Sequence, residues 1–332
     1  RIEKSAFFEC SNLESVEFDD ESQLQLIDEL AFSHSSLGKI SIPSSVASIR
    51  ERAFEQCYAL SVVKMKEDSK LTSIEHHCFY KSSLVEISIP PKICRIDEYA
   101  FSECGNLSAV DFSLDSKVSL IDKYAFYKSA IEKVVIPSTV TRIGDFAFSE
   151  CSFLEVVQLL PDSQLALIDR FAFAKSAILK ILIPAKVRQI CESGFQGCSK
   201  LSSIEFCQGS EIENIDKFAF SGTSISNITI PSRVRKINES VFSDCKNLKS
   251  VEIQSNSKVD TIESKAFYQS SIEHLFISRN VSELKEGWCN GTPELDSIEI
   301  SSKNQHFVMY DNELIIGQQN KENLENKENL EN

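Results

Sequence analysis

Residues 97–143 read DEYAFSECGNLSAVDFSLDSKVSLIDKYAFYKSAIEKVVIPSTVTRI, and residues 144–190 repeat the design as GDFAFSECSFLEVVQLLPDSQLALIDRFAFAKSAILKILIPAKVRQI. Each stretch holds two Ala-Phe steps. Working outward, the same phenylalanine recurs at Phe7, Phe32, Phe54, Phe79, Phe101, Phe126, Phe148, Phe173, Phe195, Phe220, Phe242 and Phe267. The gaps alternate between 25 and 22, so the period is a 47-residue double repeat. A fixed period of this size marks a solenoid, in which each unit buries its apolar face only against its neighbours. Function is then to be sought on a long surface rather than in a pocket.

A second motif, apolar-x-x-apolar-x-apolar, keeps step with the first. It runs from Leu13-Val16-Phe18 through Leu107-Val110-Phe112 and Ile131-Val134-Ile136 to Leu295-Ile298-Ile300, making thirteen rows. Its last step has period two, and Val and Ile suit a packed pleat, so each row predicts one short strand of a single long parallel sheet. Pro43, Pro90, Pro137, Pro184 and Pro231 follow every second strand. Proline has no N–H for a ladder and turns the chain outward. An Asp before the Ala-Phe step, as in "DEYAF" and "DKYAF", predicts a cap for one helical turn on the convex side.

Three residues past each phenylalanine the slot alternates between Cys (10, 57, 104, 151, 198, 245) and Ser or Thr. These six cysteines lie two coils apart, roughly 10 Å at ~4.8 Å per strand. A disulfide needs Cα atoms within about 7 Å, so they read as buried free thiols. The other five cysteines show no metal spacing.

The outward positions of the strand motif form two columns in which long charged residues alternate with small ones. Lys39 and Glu17, Lys133 and Asp111, and Lys180 and Glu205 stand on diagonals and predict cross-strand ion pairs. The alternation breaks at Val135, Val156 and Leu182 on three adjacent rows, beside Lys133, Gln158 and Lys180. An exposed apolar cluster rimmed by polar groups is a candidate contact for a partner. Phe276 is a second candidate.

Net charge of −14 argues against nucleic acid or an anionic membrane as partner. No run reaches the ~18 apolar residues of a membrane span. His76-His77-Cys78 is the one cluster resembling metal ligands, but three adjacent residues do not converge on one ion, and Cys78 holds the Ala slot before Phe79. With no Gly-rich phosphate loop and no histidine paired with an orienting group, neither cofactor nor catalytic residue is nominated, and the reading is of a protein that is not an enzyme.

The pattern Ala-Phe-x-x-Cys-x-x-Leu-x-x-Ile-x-Ile-Pro-x-x-Val-x-x-Ile resembles the BspA-like leucine-rich repeat family of surface antigens, over about residues 1–300. The resemblance implies an α/β repeat solenoid, a leucine-rich repeat horseshoe with helical turns outside. It also implies display on a cell surface or secretion, and binding of a protein or glycan partner, as in adhesion. It supplies no catalytic residues. The division expected is a solenoid at 1–302, a strand-turn-strand cap at 303–317 and a low-complexity, disordered tail at 318–332. "RIEKSAF" enters mid-repeat, so a targeting signal is expected upstream. An intracellular, cytoplasmic scaffold and a passive spacer of roughly 60 Å, from thirteen rows at ~4.8 Å, are the alternatives.

Overall fold

The computed structural model describes residues 1–19, 21–254, 256–310 and 313–316. The chain winds into a β-solenoid whose stacked coils have three faces. The first carries the long strands, such as Lys133–Ile136, where exposed and buried residues alternate because successive side chains leave opposite sides of a strand. The second carries two-residue strands, such as Arg142–Ile143 and Leu167–Ile168. The third is a run of turns bearing the Ala-Phe step. All three contribute to one continuous core, as Val134, Ile143 and Phe148 illustrate. The phenylalanines from Phe7 to Phe267 stack with ring centroids 5.1–5.9 Å apart, and Trp288 closes the row edge-on at 6.0 Å.

The predicted helical turns do not form: among the described residues the third face contains no helix. The reason lies in where the N–H groups point. Tyr99, Phe101 and Glu103 donate to Lys123, Ala125 and Tyr127 of the next coil at 2.7–3.0 Å. Ala100, Ser102 and Cys104, between them, close turns on Asp97, Tyr99 and Phe101. An α-helix returns every N–H to its own segment and would leave none for the neighbouring coil. The alternation also requires left-handed residues, Tyr99 at φ 58° and Glu103 at φ 55° in this coil. The aspartates therefore cap turns: Asp28 and Asp122 accept from the N–H of the very next residue, at 2.9 and 2.8 Å. Without helices about 10 Å wide outside, the convex spacing stays near the ~4.8 Å of the strands, and little wedge remains to curve a horseshoe.

The single long sheet is divided. Nine long strands run from Ser15–Val16 to Ser203–Phe206, and four from Asn227–Ile230 to Ser297–Ile300. Pairing is full over one step and sparse over the next. Lys133–Ile136 pairs with Val156–Leu159 at four positions, whereas Val156–Leu159 pairs with the strand after it only through Val156 and Lys180. The sparse steps are those where the later strand runs into Pro90, Pro137 or Pro184, which has no N–H to give back. At Pro231 the step opens altogether.

Near the C-terminal end Phe307–Tyr310 and Glu313–Ile316 pair antiparallel. The tail at 318–332 lies outside the described residues. All eleven cysteines are free; Cys57, Cys104, Cys151, Cys198 and Cys245 are buried, while Cys10 in the first coil is half-buried.

Candidate partner-binding face

Every long strand presents two side chains outward, and the parallel register fixes their neighbours. Val156 stands between Lys133 and Lys180, Gln158 beside Val135, and Leu182 beside Glu205. Val135, Val156 and Leu182 therefore meet only on diagonals of about 7–8 Å, each directly flanked by polar residues. They are 38%, 44% and 39% exposed.

Two residues that extend this apolar area were not picked out from the sequence. Leu114 stands fully exposed and Leu160 half-exposed at the corners ending Ala109–Phe112 and Val156–Leu159. With Val135 and Pro137 they line a groove of about 980 Å³ over the sparse step between Ala109–Phe112 and Lys133–Ile136. The signal lay in the corners: where Leu114 sits, other double repeats carry Glu67, Pro161 and Gln208.

The predicted diagonal ion pairs do not form. Lys39, Lys133, Lys180, Glu17, Asp111 and Glu205 make no side-chain hydrogen bond or ion pair with any described residue. The diagonal is long, and holding a lysine along it costs more side-chain entropy than an exposed pair returns. On the other two faces charges do pair. Lys128 and Lys175 reach Glu150 at 3.5 and 3.6 Å, and Lys217 reaches Glu192 at 3.2 Å. Arg142 reaches Asp169 at 2.6 Å, and Arg95 reaches Asp97 at 3.0 Å. Burial pushes the Asp97 and Asp169 carboxyls up, and the facing arginines pull them partly back.

Phe276 sits apart from these residues, on the four-stranded sheet. It is half-buried and lines a groove of about 340 Å³ with Glu252, His274, Ser297 and Glu299. His77 belongs to a second aromatic row, also missed in the sequence, on the turn face. His77, Tyr99, Tyr124, Phe146 and Phe171 stack at 4.7 Å with planes within 18° of parallel. Each ring covers the next, so only ring edges face solvent. Cys78 is buried in its Ala slot, and among the described residues no three His, Cys, Asp or Glu groups gather as metal ligands. No helix among them is long and apolar enough to cross a membrane.

The model of the BspA type leucine rich repeat region matches this chain at residues 1–108, 72–201, 119–249 and 201–310. The chain belongs to that family. A leucine-rich repeat protein from Bacteroides ovatus aligns over 90% of this chain and 76% of its own, with 18% identity and a TM-score of 0.67. A leucine rich cell surface protein from Faecalibacterium prausnitzii aligns over 84% of this chain and 83% of its own, with 24% identity and a TM-score of 0.46. The pneumococcal vaccine antigen PcpA aligns over 90% and 77%, with 18% identity and a TM-score of 0.47. No curated protein matches the chain in sequence. In this BspA-type array the long-strand charges around Val135, Val156 and Leu182 are left without partners.

Proposed function

We propose that this chain is a non-catalytic binding module that takes a protein or glycan partner on its long-strand face. The observation that supports the reading is the division of charge pairing between faces. Lys133, Lys180, Asp111 and Glu205 stand free around Val135, Val156 and Leu182, whereas the turn and short-strand faces pair many of theirs. Free charges around an apolar centre steer an incoming partner and then form the polar rim of an interface. Surface display or secretion is the family-level expectation, and a host or matrix protein is the partner class it brings.

The test is binding of the purified chain to panels of immobilised extracellular-matrix proteins and glycans, with and without Val135→Asp and Leu182→Asp. Loss of at least about tenfold in affinity, or 1.4 kcal/mol, with unchanged melting is the expected result. Undiminished binding by the double variant would remove this face from the reading. Absence of any binder, together with antibody labelling of source cells only after permeabilisation, would favour an intracellular scaffold.

A further inference from the structure

The step between Ser203–Phe206 and Asn227–Ile230 differs from the steps around it. In seven consecutive steps, from Gly38 to Ser61 through Leu179 to Ser202, the N–H at the start of each long strand reaches the carbonyl of its counterpart one coil earlier, at 2.9–3.2 Å. Between Ser202 and Ser226 that rung is missing, and the two strands share no ladder. The short-strand face parts at the same place, between Asn214–Ile215 and Lys236–Ile237. There the Ile215 carbonyl, which should take a backbone N–H, instead accepts the Asn238 side-chain amide at 2.7 Å. A cleft of about 700 Å³ lies over the long-strand side of the break. The short-strand face is also interrupted between Ser48–Ile49 and Ser73–Ile74, but there the long strands pair at four positions. Among the described residues both faces are open only at the Pro231 step.

The turn face holds across the break. Phe218, Phe220 and Gly222 donate to Glu239, Val241 and Ser243 at 3.2, 3.1 and 2.8 Å. The corresponding bonds from Tyr124, Phe126 and Lys128 are 2.9, 2.8 and 3.0 Å. The ring stack loosens without breaking over the three steps around the break, to 5.8, 5.9 and 5.7 Å from Phe195 through Phe220 and Phe242 to Phe267, against 5.1 Å between Phe126 and Phe148. Val241 fills the slot before the phenylalanine that holds Ala125, Ala147 and Ala172 elsewhere.

We infer that this step is a flexural joint, hinged along the turn face, which lets the nine-strand and four-strand arms change angle while each stays rigid. The joint separates the Val135–Leu182 area from Phe276 and His274. If the long-strand face binds, as proposed above, a partner touching both areas is gripped by closure rather than met by a fixed surface. The joint itself is independent of that reading.

Hydrogen–deuterium exchange on the intact chain tests it without any ligand. Amides of 226–230 that face the split should exchange at least about tenfold faster than their counterparts at 179–183, with slow exchange in both arms. Asn238→Ala removes a polar tie across the short-strand side and should speed exchange at 213–217 and 226–230 alone. Equal protection at 179–183 and 226–230 would overturn the joint. So would exchange of the whole of 227–300 as one unit, which would mark unfolding of an arm, or an Asn238→Ala variant that exchanges like the wild type.

Discussion

The slot three residues past each phenylalanine shows how one position can serve two chemistries. Cys104 Sγ donates to Phe79 O at 3.0 Å and lies 3.4 Å from Ser82 Oγ, and the next coil presents Ser129 in the same place. Burial pushes the Cys104 and Cys151 thiols up to about 12, and those of Cys57, Cys198 and Cys245 up to about 11. In an unfolded chain a thiol ionises near 8.5. The folded state therefore keeps protons that the unfolded state has released, and stability falls as pH rises above about 8.5. Each thiol contributes up to about 1.4 kcal/mol per pH unit. Denaturant melts at about pH 7.5 and 9.5 should show the fall, and Cys104→Ser, a residue the slot already takes in alternate coils, should reduce it. Equal pH dependence in variant and wild type would contradict the burial of this thiol. The slot and the phenylalanine row were legible in the sequence because side-chain size repeats there without exception. Leu114 was not, because one leucine at a polar corner breaks no period.

The turn element was read wrongly, and its residues explain why. Left-handed backbone is ordinarily announced by glycine or asparagine. Here Tyr99, Glu103, Tyr124, Lys128 and Lys265 adopt it, with φ between 55° and 58°. Those residue types favour helices or are neutral in them, so the segment looked helical. What holds them is the coil above, which takes alternate N–H groups, together with aromatic stacking where the residue is Tyr or Phe. Lys265 has no such ring to lose, and Gly197 and Gly222 show that glycine fits the other left-handed position of this turn. Lys265→Gly should therefore leave stability unchanged or raise it by up to about 1 kcal/mol, by relief of left-handed strain. An ordinary exposed lysine gains nothing from the same change. A clear loss in denaturant melts would show that the strain is smaller than the added backbone entropy.

At the scale of the whole molecule, two unequal coils form the unit of packing. Proline, the sparse pairing step and the Cys or Ser slot all alternate from one coil to the next. Excising residues 97–143 joins equivalent positions and should give a shorter chain that still unfolds cooperatively, with circular dichroism of the same shape. A collapsed or aggregated product would mean that the repeats are not interchangeable. The 47-residue unit was plain in the sequence, and so was the existence of a strand face. The division of that face was not, since Ser203–Phe206 and Asn227–Ile230 obey the same motif as their neighbours. Only Val241 in an alanine slot and Asn238 in place of the usual acid mark the spot, and neither disturbs the period.

The coil-to-coil hydrogen bonds run along the long axis, so tension applied end to end loads the coils in series, and a series of links parts at the weakest. At the Pro231 step, among the described residues, the turn face, the Asn238 amide and the Ser224 hydroxyl, which donates to the Ser199 carbonyl at 2.6 Å, bridge the gap. A stretched array would extend first by yawning open at this one place, with the Phe220–Phe242 stack as its last seam, before any other row began to uncoil.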